Sequence, residues 1–173
     1  MPAFSLVEVL AVLAMVALLL VSGLPPLLVQ WDGARLEATL TGLSGSILFA
    51  RGEAMRLRQI VQVCAANISR RRELVTCRER PGGGGFHWSG AVVYFNADGE
   101  DMHYHGGSAL RLKLFDPAVT VLSDVSPLRL YPDGHVARKA LFILHSRYRC
   151  ASLSVDGNGR ATACRGERCT GCR

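Results

Sequence analysis

Between Glu8 and Asp32 the chain has no charged residue at all, so residues 9–31 form an uncharged stretch of 23. A helix of ~20 apolar residues at 1.5 Å rise spans a ~30 Å hydrocarbon layer, which makes Phe4 to Val29 a candidate membrane-spanning helix. From Asp32 onward the composition is that of a soluble domain. With 173 residues, 49% hydrophobic and 20% charged, the chain is neither disordered nor collagen-like, and a single apolar run rules out a multi-pass membrane protein. A secretory signal peptide is the competing reading, but Met1-Pro2-Ala3 offers no cationic n-region. Pro25 and Pro26 lie near the far end of the run, where a missing N–H and a ring clash predict a kink or a loosened turn.

Glu8 is out of place in such a helix. A carboxylate at bilayer depth costs roughly 2.5 kcal/mol or more, so it either sits at headgroup level or has a partner. A nearby cation would relieve much of that cost.

The order Phe4-Ser5-Leu6-Val7-Glu8-Val9-Leu10 ahead of the apolar run resembles the N-terminus of type IV pilins and type II secretion pseudopilins. The resemblance implies that a prepilin peptidase cuts between Ala3 and Phe4, that the Phe4 amine is methylated, and that Glu8 pairs with a terminal amine in the growing filament. Ala3 stands where that superfamily nearly always has Gly, and residues 1–3 would be a short leader without Lys or Arg.

Beyond the prolines, Leu36, Leu40, Leu43, Ile47, Ala50, Ala54 and Leu57 recur at spacings of 4 and 3, an apolar stripe along one helical face. Arg35, Glu37, Arg51, Glu53, Arg56 and Arg58 lie off it. The helix is therefore expected to continue through 30–58 and to pack on the protein's own sheet, a coiled-coil dimer being the alternative. Gly42 and Gly45 each weaken it by up to about 1 kcal/mol and point to curvature or close packing.

The remainder, 59–164, reads as short strands: 60–66, 73–78, 87–95, 109–115, 118–122, 128–131, 140–145, 150–155 and 160–164. Turns are expected at 81–85, 96–99, 133–134 and 156–159. One long helix across an antiparallel sheet is an α+β architecture. The segments Ala50-Arg51-Gly52-Glu53-Ala54, Val61-Gln62-Val63-Cys64 and Trp88-Ser89-Gly90, leading to Asn96-Ala97-Asp98-Gly99, look like the GspH/FimT family of minor pilins and pseudopilins. The likeness is good from residue 4 to about 100 and only strand-like beyond.

All six cysteines follow the apolar run, as disulfides in an oxidising compartment would. Among fifteen connectivities, Cys64 with Cys77 and Cys150 with Cys164 are preferred, each worth ~3 kcal/mol by loop entropy. Cys169-Thr170-Gly171-Cys172 reads as a further disulfide in a 165–173 tail rather than a redox or zinc motif.

No catalytic constellation emerges. Gly42-Leu43-Ser44-Gly45 is not a nucleophile elbow, His103-Tyr104-His105 lacks a third metal ligand, and 96–101 resembles a calcium-loop fragment without its spaced terminal Glu. No cofactor or metal is expected. Charge is more informative: residues 51–80 hold eight Arg against three Glu, and 144–173 six Arg against two acids. Arg70, Arg71 and Arg72 are placed in a loop, and Arg160, Arg165, Arg168 and Arg173 in and near the tail. Some FimT proteins bind DNA through a C-terminal Gly-Arg-x-Arg; Gly159-Arg160-Ala161-Thr162 matches its first half. The expectation is a non-enzymatic minor pilin or pseudopilin, held in the bacterial inner membrane with its C-terminal domain in the periplasm. Its expected partners are other minor and major pilins, the peptidase and membrane lipid; double-stranded DNA is the alternative partner, through the Arg-rich C-terminal region.

Overall fold

The structure is a computed structural model that describes residues 5–68, 74–76, 85–95, 109–166 and 168–172, without the side chains of 20–26, 67, 68 and 74–76. The apolar run and the amphipathic stripe form one helix, α1 (Leu6–Leu57), 52 residues long and continuous across Pro25 and Pro26. At 1.5 Å per residue it is about 78 Å from end to end. It stops at Arg58, which takes the left-handed conformation (φ 53°) that ends many helices. Among the described residues no helix is long and apolar enough to cross a membrane.

Two antiparallel sheets, rather than one, pack with the helix. The strands are β1 (Val61–Ile68), β2 (Leu74–Thr76), β3 (Phe86–His87), β4 (Gly90–Phe95), β5 (Ala109–Leu114), β6 (Thr120–Ser123), β7 (Leu128–Leu130), β8 (Ala140–His145), β9 (Cys150–Val155) and β10 (Ala161–Arg165). The first sheet runs β2-β1-β4-β5, with β7 also paired to β1; the second runs β10-β9-β8-β6-β3. The expected single strand 87–95 is divided because the chain changes sheet inside it. Phe86–His87 pair with β6, Trp88 N–H donates to Val121 O at 2.9 Å, and from Gly90 the chain pairs with β5. Gly90 is required at this crossing, since a Cβ there would lie 2.6 Å from the Lys113 carbonyl oxygen. Trp88, fully buried, meets Phe142 of the second sheet edge to face at 5.1 Å, which ties the sheets together.

The helical stripe is core. Leu36, Leu40, Leu43, Ile47, Ala50 and Ala54 are buried with Val61, Val63, Trp88 and Val93 on one side and Phe142, Leu144, Ala151, Leu153 and Val155 on the other. Gly42 explains part of its own presence: a Cβ would come 3.1 Å from the Lys113 side chain, whereas Gly45 faces open space. A second buried group, Cys64, Ala66, Val92 and Tyr94, occupies the other face of the first sheet, where Tyr94 Oη donates to Gln62 Oε1 at 2.9 Å.

Candidate functional site

Two regions of α1 differ in what surrounds them. From Leu36 to Ala54 its stripe is covered by sheets; in the upper part the described apolar side chains, Leu6, Leu10, Leu13, Leu18 and Leu28 among them, stand exposed. Glu8 lies in the first helical turn, its N–H donating to the Ser5 carbonyl, and its carboxylate sits at the end where the helix dipole favours a negative charge. Ala3 and Phe4 lie outside the described residues.

Where the helix meets the domain, the β8–β9 turn forms a collar against it. Asp32, the first charge after the uncharged run, is buried and accepts three hydrogen bonds from the β8–β9 turn: Ser146 Oγ at 2.6 Å, Tyr148 N at 3.1 Å and Arg147 N at 3.3 Å. Burial pushes the Asp32 carboxyl up, but those bonds and the charge of Arg35 outweigh it and hold the group below its ordinary value. Arg35 in turn reaches Asp116 at 3.5 Å. The Arg149 side chain lies along the helix at Gly33, where a Cβ would come 3.1 Å from its Nε.

One turn further, Glu37 receives a two-pronged bond from Arg165, Nε at 2.9 Å and Nη2 at 2.6 Å. That fork holds the Glu37 carboxyl below its ordinary value, with burial opposing. Strand alternation explains the reach: Arg165 pairs with Ala151, whose side chain is core, so it faces the helix. Between this pair and the collar lies an open groove of about 490 Å³ whose lining includes Gly33, Glu37, His145, Tyr148, Arg149 and Arg165.

The three C-terminal arginines singled out from the sequence differ in their surroundings. Arg165 is committed to Glu37. Arg160, exposed, precedes β10 at its other end, about 16 Å away at ~3.3 Å per residue. Arg168 is exposed in the tail. Arg70, Arg71, Arg72 and Arg173, the 96–101 segment and the His103/His105 pair lie outside the described residues, and among the described residues no cluster of three or more metal-ligating side chains occurs.

All four C-terminal cysteines are disulfide-bonded, but the expected pairs Cys150–Cys164 and Cys169–Cys172 are not formed. The bonds are Cys150–Cys172 and Cys164–Cys169, with Cα separations of 5.7 and 5.6 Å. The ladder shows why. Cys164 stands opposite Ser152, two residues from Cys150, and such diagonal neighbours lie ~7–8 Å apart, beyond the reach of a disulfide. Gly166 (φ 96°) instead reverses the chain, donates to the Cys150 carbonyl at 3.0 Å, and carries Cys169 back to Cys164 and Cys172 back to Cys150. Gly171 then lies so close to Ile143 of β8 that a Cβ would collide with it. The tail is thus clamped onto the second sheet. Cys64 is disulfide-bonded and buried; Cys77, its expected partner, lies outside the described residues.

Sequence reading missed Asp32, Glu37 and Arg51. Arg51, read as an off-stripe surface charge, donates to the Gly134 carbonyl at 3.1 Å and packs against the turns at Gly134 and Gly159, both at positive φ. Only Asp32 carried a signal, as the residue that ends the uncharged run.

Two crystal structures of the type IV minor pilin FimU from Pseudomonas aeruginosa share this fold. One superposes with a TM-score of 0.56 at 16% identity, covering 79% of this chain and 99% of that one. The other gives 0.58 at 16%, covering 82% and 98%. No curated protein matches the chain significantly. The family described as type II transport protein GspH matches residues 39–159, well past residue 100, where the likeness read from the sequence faded into mere strands. Proteins of this pilin and pseudopilin group are structural and belong to periplasmic or pilus-associated filaments. With helix, sheets and family match agreeing, this chain belongs to the GspH family and has the pilin fold.

Proposed function

We propose that the chain is a minor pilin or pseudopilin held in the inner membrane by residues 4–29, with the domain from Asp32 onward in the periplasm, and inserted into a type IV pilus or type II secretion filament through the upper part of α1. The observation that carries this reading is the contrast along one helix: a lower stripe covered by its own sheets and an upper part whose described apolar side chains are exposed, Leu6 by 77%. Apolar surface of that extent requires lipid or other copies around it. In this reading the peptidase frees Phe4, and Glu8 then offers its carboxylate to a terminal amine of a neighbouring subunit.

DNA capture by Arg160, Arg165 and Arg168 draws less support, since Arg165 already spends its fork on Glu37. The test of the main reading is Glu8→Val and Glu8→Ala in the producing bacterium. Both variants should remain in the membrane after alkaline extraction while filament formation, or the secretion that depends on it, is lost. Normal pili or normal secretion would overturn the reading.

A further inference from the structure

The collar has a composition that its structural role does not need. Asp32 grips the β8–β9 turn through Ser146 Oγ and two backbone N–H groups, so the side chains of Arg147 and Tyr148 take no part in the grip. Both point into solvent, with Arg147 stacked over the Tyr148 ring at 5.3 Å. Neither Arg147 nor Arg149 has a carboxylate within ion-pair distance among the described residues, whereas Arg35, Arg56 and Arg165 each have one. Trp31, at the last position of the uncharged run, is 66% exposed, and Tyr148 is 50% exposed. Two guanidiniums without an ion-pair partner among the described residues and two amphipathic rings therefore stand at the level where the apolar helix enters the domain.

Rings with one apolar and one wet side favour the membrane–water boundary, and clustered arginines beside a spanning helix favour negative headgroups. We propose that this collar, Trp31, Arg147, Tyr148 and Arg149, is a contact site for anionic phospholipid headgroups that seats the domain on the bilayer before assembly. The proposal rests on the reading of residues 4–29 as a membrane anchor. Charge complementarity and direct continuity with the anchor name lipid, rather than a neighbouring subunit, as the occupant. Each arginine near an anionic surface shifts the docked-to-free ratio about fivefold, so the pair gives about thirtyfold.

The test uses the full chain reconstituted in phosphatidylcholine vesicles with or without phosphatidylglycerol, both containing lipid brominated close to the headgroup. In the wild type, quenching of Trp31 reports the anchor; buried Trp88 supplies a constant background. In a Trp31→Phe, Tyr148→Trp variant, quenching reports the collar. The expected result is Trp31 quenched in both vesicles, and Tyr148→Trp quenched only with phosphatidylglycerol, reversed by raised salt and by adding Arg147→Glu with Arg149→Glu. Thermal melting of the Tyr148→Trp and Arg147→Glu proteins should be unchanged, because those side chains are exposed. Arg149, which lies along the helix at Gly33, is also replaced singly by Gln, and loss of lipid contact there without a change in melting keeps the effect apart from packing. Quenched Trp31 with Tyr148→Trp unquenched, or quenched equally in both vesicles, overturns the collar alone. Unquenched Trp31 in both removes the anchor and the collar with it. If Arg147→Glu with Arg149→Glu keeps lipid contact but loses filament incorporation, the surface is a subunit contact and the proposal is wrong.

Discussion

Replacing Asp32 isolates the joint between helix and domain. In Asp32→Ala the Ser146 hydroxyl and the Tyr148 amide lose an ionised acceptor at 2.6 and 3.1 Å, and the longer bond from Arg147 at 3.3 Å goes with them. Hydrogen bonds to a charged group contribute about 1.5–3 kcal/mol each. The turn is part-exposed, so water takes over some of the loss and about 3 kcal/mol is expected in total. For a chain of this size that lowers Tm by roughly 6–12 °C. Asp32→Asn keeps one acceptor oxygen and should lose about half as much. The pH dependence has a definite sign. The folded-state carboxyl lies below its ordinary value of 3.8, so its contribution is complete above that pH and lost as pH falls through the lower folded-state value. Asp32→Asn should lack this component. Circular-dichroism melting of the detergent-solubilised full chain measures the first effect, and amide exchange at Arg147 and Tyr148, accelerated in Asp32→Ala, measures the second. An Asp32→Ala protein that melts within a degree of wild type at neutral pH, with those amides still protected, would refute the clamp.

Three further expectations follow from the packing and the tail. Ile47→Ala, at a fully buried stripe position, should cost about 2–5 kcal/mol in chemical denaturation; a loss under 1 kcal/mol would mean that the stripe is not core. Trp88→Ala should cost about 3–5 kcal/mol because it also removes the edge-to-face contact with Phe142. Peptide mapping without reduction should recover Cys150 joined to Cys172 and Cys164 joined to Cys169, and Cys150→Ser with Cys172→Ser should cost ~3 kcal/mol from the 22-residue separation. A Cys150–Cys164 peptide would contradict the register of β9 and β10.

How far the sequence could be read depended on the range of the interaction. The stripe from Leu36 to Ala54 was legible because helical period and core burial coincide, and β8 was legible end to end because alternate residues are buried; β9 kept its expected bounds although Ala151, Ser152 and Leu153 are buried in succession. The second sheet was not, since Trp88-Ser89 interrupts no apolar pattern and the crossing shows only in the pairing partners. Glu37 and Arg165 are 128 residues apart, and no local rule links them. The disulfides failed for a related reason: spacing favoured the hairpin pair, while the reversal at Gly166 decided the outcome. Glu8 was legible as an anomaly of charge in an apolar run, and the residues that would flank its cleavage site lie outside the described part.

The central claim, that the exposed upper part of α1 is the assembly element, is tested most directly by photo-crosslinking from Leu13, exposed on that segment. A benzophenone amino acid replacing Leu13 in the producing bacterium should yield an adduct whose second chain, identified by mass spectrometry, begins with a pilin-type apolar helix. That adduct should disappear when Glu8→Val is added. Adducts to lipid alone, or a pilin adduct that persists undiminished in Glu8→Val, would contradict the account.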